Sequence, residues 1–103
     1  MSEINWTNVI IELIGTFVFL TVIFNVAMKG HGGAVAPVAI GIGLIAAIYM
    51  FNSDSASNHY NPAVSFMAYL NGNIIIGTFL AYVAAQVIGA SLAYAVHKYA
   101  VLQ

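Results

Sequence analysis

Chemistry in this sequence is concentrated at one tripeptide, Asn61-Pro62-Ala63. Asparagine is a preferred helix N-cap, and proline suits the first helical position because its missing N–H has no helical partner there. A helix N-terminus carries about half a positive elementary charge and unpaired N–H groups. Together with the Asn61 amide, such an end can donate hydrogen bonds to a neutral polar solute and repel cations. An ordinary helix cap that serves no solute is the alternative interpretation.

Three further polar residues could act with this motif. His59 lies two residues before it and either ties the loop in place or forms a pH gate, because histidine titrates near neutrality. Glu12 and Gln86 stand inside long apolar segments. An acid within a membrane is costly and usually faces the interior of a bundle, where it supports structure or carries protons. Gln86 is expected to hydrogen-bond a loop or a neighbouring helix.

The composition excludes several classes of protein. The chain has 103 residues, of which 62% are hydrophobic and 5% are charged, whereas a soluble domain carries roughly 25% charged residues. The chain is therefore expected to be an integral membrane protein with the lipid bilayer as its first partner. A net charge of -1 offers no basic surface for nucleic acid. With no cysteine and three dispersed histidines, neither a metal site, a cofactor nor a catalytic residue is expected.

The elements that must position the tripeptide are apolar segments of unequal length. Three of them are long enough to cross a bilayer, at residues 7–28, 35–51 and 74–96. The first would rise about 33 Å as a helix, against a hydrocarbon core of roughly 30 Å. Residues 62–70, which end at an Asn-Gly stop, would rise only about 13 Å. We expect a single domain over residues 1–103, an all-α membrane protein with three transmembrane helices and one re-entrant half-helix.

Small residues recur every fourth position on the second and third spans, a spacing that lets helix backbones approach closely. The alternative is that membrane helices are simply rich in glycine and alanine. The residues expected at helix contacts are Gly43 on the second span and Gly77, Ala81, Ala85 and Gly89 on the third.

Four segments, in order, resemble the N-terminal half of an aquaporin or aquaglyceroporin, of the major intrinsic protein family. They are IELIGTF (11–17), AIGIGLIAAIYM (39–50), ASNHYNPAVSF (56–66) and YVAAQVIGA (82–90). The resemblance covers nearly the whole chain and one of the two inverted repeats of a full family member. It implies that Asn61, Pro62 and Ala63 form the centre of a pore. It also implies that Glu12 accepts hydrogen bonds from the backbone of the re-entrant loop and that His59 ties backbone carbonyls.

The residues that would narrow the pore depart from the family pattern. The second family half has arginine directly after its Asn-Pro-Ala, whereas this chain has Val64. The filter position on the second helix, usually aromatic, aligns with Ile40. The loop reads Ala-Ser-Asn-His in place of Ser-Gly-Ala-His, with one residue inserted near Asp54. A pore flanked by Val64, Ile40 and His59 is expected to discriminate less strictly than a water channel, so that glycerol, ammonia or gases could pass.

One half-helix does not complete a pore, because its polar tip would face lipid. Inverted repeats solve this by bringing two half-helices together near the midplane. The expected equivalent is an antiparallel homodimer and, by analogy with family tetramers, an assembly of four dimers. Lys29 and Lys98 fall on one face and by charge would place the N-terminus outside, whereas the resemblance places it inside. A bias of only two lysines suits insertion in both orientations.

Two other functions stay open from the sequence. The chain is either a non-conducting half-channel or fragment that needs a different partner chain, or a small dual-topology exporter that couples protons through Glu12. Such exporters have four full spans and no half-helix. A neighbouring gene for the missing half would favour the first, and drug-dependent proton flux abolished by Glu12→Gln would favour the second.

Overall fold

A computed structural model describes residues 3–51 and 57–100 of the chain. All regular structure in these residues is helical, as predicted. Helix α1 is Trp6–Ile23, α2 is Ala36–Phe51, α3 is Pro62–Leu70 and α4 is Ile76–Ala95. π-helical segments, Phe24–Met28 and Val96–Ala100, continue α1 and α4, and a 3₁₀ turn, Gly33–Val35, precedes α2. The insertion expected near Asp54 and the first residue of the family-like loop, Ala56, lie outside the described residues.

Three continuous helical segments are long and apolar enough to cross a membrane. They are Trp6–Met28, Gly33–Phe51 and Ile76–Tyr99, with 23, 19 and 24 residues. The third begins at Ile76 rather than at residue 74, because Ile75 is extended, with φ -80° and ψ 165°. The chain is thus an integral membrane protein with three spans and one short helix, α3, that has 9 residues.

The short helix has sequence-encoded ends. The Asn61 side chain accepts a hydrogen bond from the Ala63 amide at 2.8 Å, and Pro62 occupies the first helical turn. At the other end the backbone turns away at Gly72, whose φ of 83° is a left-handed conformation that glycine adopts at low cost. The cap and the stop together fix α3 at less than half the length of a span.

Helix α1 packs against both α2 and α4, most extensively against α4. α1 and α4 run in the same direction: Ile4 lies beside Gly77 near their starts, and Lys29 donates a hydrogen bond to the His97 carbonyl at 2.7 Å near their ends. α2 runs the opposite way, because Gly43 lies against Val22 late in α1, whereas Ala47, later in α2, is bonded by the Tyr60 hydroxyl, whose ring lies on Gly15 earlier in α1. The segment from Phe51 to α3 therefore begins at the membrane face where α1 begins.

The small residues on the spans do not contribute equally to this packing. A Cβ at Gly89 would collide with the Leu13 carbonyl of α1, and a Cβ at Gly43 would lie 3.1 Å from the Val22 methyl carbons. Ala85 is buried beside Gly89, whereas Ala81 is only half-buried. A Cβ at Gly77 would make ordinary contact with Ile4 at 3.5 Å. Of the two glycines on α4, Gly89 is thus the one that packs directly against the α1 backbone.

Candidate functional site: a re-entrant loop held by a buried carboxylate

The Glu12 carboxylate is fully buried and accepts hydrogen bonds from four donors. Oε2 accepts from the Ser57 hydroxyl at 3.1 Å and from the His59 amide at 2.8 Å. Oε1 accepts from the Tyr60 amide at 2.8 Å and from the Gln86 side chain at 3.0 Å. Because a carboxylate has only acceptor positions, it can satisfy all four donors at once. Glu12 therefore fixes the loop backbone directly before Asn61.

Gln86 extends this network from the loop to the half-helix. Its Nε2 donates both to Glu12 and to the Ser65 hydroxyl, the latter at 2.9 Å. The Ser65 hydroxyl in turn lies 2.8 Å from His59 Nδ1. The Gln86 Oε1 atom is buried without a hydrogen-bond partner among the described residues. Because Gln86 donates one amide proton to Glu12 and the other to Ser65, it links both α3 and α4 to the Glu12 carboxylate on α1.

Tyr60 locks the loop against α1 and α2. Its hydroxyl lies 2.9 Å from the Ala47 carbonyl and 2.6 Å from Asn58 Oδ1, and burial raises its pKa to about 12, so it remains a donor. The ring lies on Gly15, where any Cβ would collide with it. Asn58 and Tyr60 have positive φ, 65° and 53°. Asparagine tolerates this conformation, whereas in tyrosine it is uncommon and needs the surroundings to enforce it.

Beyond the loop, the Asn61 tip of α3 is open. Asn61, Pro62 and Ala63 are exposed in the single chain. The side-chain oxygen of Asn61 accepts the capping bond from Ala63, so the side-chain NH₂ group of Asn61 is left as a donor. A cavity of about 380 Å³ runs along α3 and is lined by His59, Val64, Met67, Ala68, Asn71 and Asn73. The cavity thus presents the amides of Asn71 and Asn73 and the His59 ring among apolar side chains.

The structure brings Glu12, Gln86 and His59 together and sets Val64 beside His59 in that cavity. Ile40 lies half-buried on α2 and does not line the cavity. The resemblance implied that His59 ties backbone carbonyls; among residues 3–51 and 57–100 its ring contacts the Ser65 hydroxyl and packs edge-on against Tyr82, with ring centroids 5.3 Å apart.

Four contributors were not singled out from the sequence: Ser57, Tyr60, Ser65 and Gly15. Ser65 follows the cap by one helical turn, so its position beside the motif was available as a signal. Ser57 and Tyr60 reach Glu12 only because of the loop conformation. Gly15 matters because the ring of Tyr60, distant in sequence, lies on it. The local sequence gives no comparable signal for these three residues.

Burial lowers the pKa of the His59 imidazole from its ordinary value of 6.5, and the Glu12 carboxylate opposes the shift. His59 is then neutral at neutral pH, and the folded protein loses stability as pH falls below 6.5, where the unfolded chain takes up the proton first. We expect permeability and stability to be constant from pH 8 to 6.5 and to decline below. Thermal unfolding and vesicle shrinkage, measured across this pH range for the wild type and for His59→Gln, test this expectation. His31→Gln is the control, because His31 is exposed. A decline of permeability below pH 6.5 without a matching decline of stability would instead favour a pH gate at His59.

Comparison with known proteins agrees with this geometry. The family model described as major intrinsic protein matches residues 5–103. No curated protein and no solved structure gives a significant match. The match covers nearly the whole chain, including the spans, the loop and the half-helix. The chain therefore belongs to the major intrinsic protein family, a family of membrane channels of aquaporin type rather than of enzymes.

Proposed function

We propose that two copies of this chain associate in antiparallel orientation and form a passive pore for water and small neutral solutes. The observation that carries the proposal is the open Asn61 tip, which the buried Glu12 network holds against the first apolar span. In a bilayer this contact would set the tip at membrane depth. Polar backbone at that depth is tolerated only against protein or a wet cavity. A second, inverted half-helix supplies both, because two such tips then meet across one path.

The distribution of charge supports antiparallel rather than parallel pairing. Lys29 and Lys98 lie at the ends of α1 and α4, whereas Glu3 precedes α1 at the opposite face. Parallel copies would place lysines beside lysines. Antiparallel copies place the lysine end of one chain beside the Glu3 end of the other, which is favourable at short range. That four such dimers form a larger assembly is proposed by analogy with the family alone.

The residues proposed to line the path are Asn61, Pro62, Ala63, Val64, His59 and Ile40, with Glu12 and Gln86 supporting the loop. Val64 and Ile40 are aliphatic, and the chain has no arginine, since both of its Lys and Arg residues are lysines. A pore without an arginine at its narrowest point would form fewer specific hydrogen bonds with solutes. We therefore propose that glycerol, and ammonia or gases, pass together with water.

The deciding experiment is osmotic shrinkage of vesicles reconstituted with this chain alone, timed by stopped-flow light scattering. We expect fast shrinkage with a low activation energy, reduced at least tenfold by Asn61→Ala. Ser91→Ala is the control, because Ser91 is an exposed polar residue of α4 that does not line the cavity along α3. The same vesicles in a glycerol gradient test the breadth of the pore, and strict exclusion of glycerol would contradict that part of the proposal.

Shrinkage no faster than in empty vesicles would exclude a self-sufficient dimer and direct the search to a different partner chain. A chain without cysteine permits a direct test of pairing as well. In an antiparallel dimer the Ala63→Cys variant should form a disulfide between copies, since residue 63 lies near the two-fold axis. Lys98→Cys should not, because its two copies then lie at opposite membrane faces.

The proton-coupled exporter finds no support in the surroundings of Glu12. All four of the contacts described above are hydrogen bonds donated to the carboxylate, and the side chain is inaccessible to solvent. A carboxylate that binds a cationic drug needs an open approach. The geometry therefore favours a structural role for Glu12.

A further inference from the structure

The cavity along α3 starts beside the Asn-Pro-Ala tripeptide and follows one face of the half-helix. It is lined by Val64, which directly follows the tripeptide, and by His59, which stands two residues before it. Its wall continues through Met67 and Ala68 to Asn71, at the three- and four-residue spacings of a single helix face. Because the helix rises about 10 Å from Val64 to Asn71, the cavity extends from the tip of α3 to its other end.

Contacts on the opposite side of α3 fix the direction of this face. The Ser65 hydroxyl accepts a hydrogen bond from Gln86 of α4 at 2.9 Å. The rings of Phe66 and Tyr69 pack against Phe79 of α4, with ring centroids 5.7 and 5.8 Å apart. At 3.6 residues per turn, these three residues of α3 lie across the helix from the residues that line the cavity. The cavity face of α3 is therefore directed away from α4.

A pair of side-chain amides, Asn71 and Asn73, lines the cavity at the end remote from the tripeptide. In a continuous helix, residues two apart do not face each other, but Gly72, with φ 83°, turns the backbone between them. The Asn73 backbone amide then donates to the Ala68 carbonyl at 2.9 Å. That of Gly72 donates to the Tyr69 carbonyl at 3.0 Å, which completes a Schellman motif. In this turn Asn71 Nδ2 donates to Asn73 Oδ1 at 2.8 Å, so backbone bonds hold the amide pair together.

The amide pair keeps hydrogen-bonding capacity for a solute. Two side-chain amides together have four N–H donors, and the bond between them uses one, so three donors are left. Asn71 and Asn73 are both exposed, and Asn73 lies three residues before α4 begins, at the membrane face where α1 also begins. Between the amide pair and His59, the side chains in the wall are those of Val64, Met67 and Ala68, which are apolar. The pair therefore lies where a path along α3 opens to that membrane face.

We propose that the amide pair of Asn71 and Asn73 is the entrance of the pore, where a neutral solute exchanges hydration water for hydrogen bonds to the protein, and that it determines how well glycerol passes relative to water. The inference rests on the proposed function, whose two-fold axis gives each mouth one such pair. A water molecule in the apolar stretch keeps bonds to the waters before and behind it. Glycerol, with three hydroxyl groups, fills the path and loses most of its hydration at once, which is costly unless the protein supplies partners. The amide pair therefore matters more for glycerol than for water.

The test compares glycerol and water permeability in the same reconstituted vesicles. Valine and threonine have the same shape, but only threonine has a hydroxyl that donates and accepts hydrogen bonds. In Asn71→Val/Asn73→Val we expect glycerol permeability to fall about fivefold, equivalent to the loss of one net hydrogen bond, and water permeability to stay within about twofold of the wild type. Asn71→Thr/Asn73→Thr should keep glycerol permeability within about twofold. Both variants retain Gly72 and the backbone bonds of the turn, so they should fold alike.

The possible failures are distinguishable. Wild-type vesicles that shrink no faster than empty ones would overturn the proposed function, and the entrance with it. A conducting wild type whose ratio of glycerol to water permeability is unchanged in the valine variant would overturn the entrance alone. Loss of water and glycerol permeability in equal proportion, in both the valine and the threonine variant, would show that the amide pair only supports the fold.

A single thiol gives a second measurement, because the chain has no cysteine of its own. In Asn73→Cys, a membrane-impermeant methanethiosulfonate added outside the vesicles reaches only one of the two mouths of each pore. The attached group should nevertheless stop glycerol flux through the whole pore, and a reducing agent that removes it should restore the flux. Thiols that are modified without any loss of glycerol flux would place residue 73 outside the entrance and overturn the inference.

Discussion

Replacing Glu12 by glutamine is expected to abolish water permeability and to lower the free energy of unfolding by about 2–6 kcal/mol. An amide is nearly the same size as a carboxylate, but one of its two positions is an NH₂ donor. Whichever way the amide is turned, two of the four donors that Glu12 serves would face this NH₂ group. Each buried donor left without an acceptor costs about 1–3 kcal/mol. The loop before Asn61 then loses the bonds that hold it in its strained conformation.

Ser91→Ala is the control, because Ser91 is an exposed polar residue whose hydroxyl bonds to the Val87 carbonyl of its own helix, and its replacement should change neither property. Stability is measured by unfolding in detergent micelles, and loop order by hydrogen exchange at the His59 and Tyr60 amides. We expect those two amides to exchange faster in the Glu12 variant, while α4 amides keep their protection if the bundle survives. A Glu12→Gln protein that is as stable as the wild type but loses drug-dependent proton flux would contradict the structural role and support the exporter.

The parts of this fold that follow from sequence are those set by local chemistry. The ends of α3 lie where Asn61-Pro62 and Asn71-Gly72 place them, because capping and glycine stops act over a few residues. The involvement of Glu12 and Gln86 also follows, since isolated polar groups within apolar spans must find partners. Their actual partners, Ser57, Ser65 and the loop amides, lie far along the chain, and no spacing rule identifies them.

The contacts between helices follow less well from the sequence. A repeat of small residues on the third span marks candidate contacts, yet Gly89 meets the α1 backbone whereas Gly77 near the start of α4 meets flexible side chains, those of Ile4 and Ile75. The difference depends on where two helices cross, which spacing within one helix does not specify. Gly15 is close-packed for a different reason, because the Tyr60 ring lies on it. Within one chain Ile40 lies outside the cavity along α3. It would line a pore only if a second chain packed against α2.

Replacing Gly89 by alanine is expected to lower the free energy of unfolding by about 3 kcal/mol, the upper end of the usual cost of overpacking. The added Cβ would meet the Leu13 carbonyl oxygen and approach Phe17 N to 3.2 Å. Both are backbone atoms, so α1 and α4 must separate rather than a side chain rotate. Glu12 lies next to Leu13, and the bond between Glu12 and Gln86 spans the same two helices at 3.0 Å. Separation should therefore also weaken the loop and reduce water permeability.

A graded series of glycine replacements tests this reasoning. At Gly41 an added Cβ meets nothing within 4 Å among the described residues, so Gly41→Ala should cost nothing, and alanine also has the higher helix propensity. Gly43→Ala should lie between the two, because its neighbour is the side chain of Val22, which can shift by a few tenths of an ångström. Unfolding in micelles should rank Gly41, Gly43 and Gly89 in increasing order of destabilisation, with permeability following the same order. If Gly89→Ala proved as stable as Gly41→Ala, the close contact between α1 and α4, and with it the positioning of Glu12 against Gln86, would be wrong.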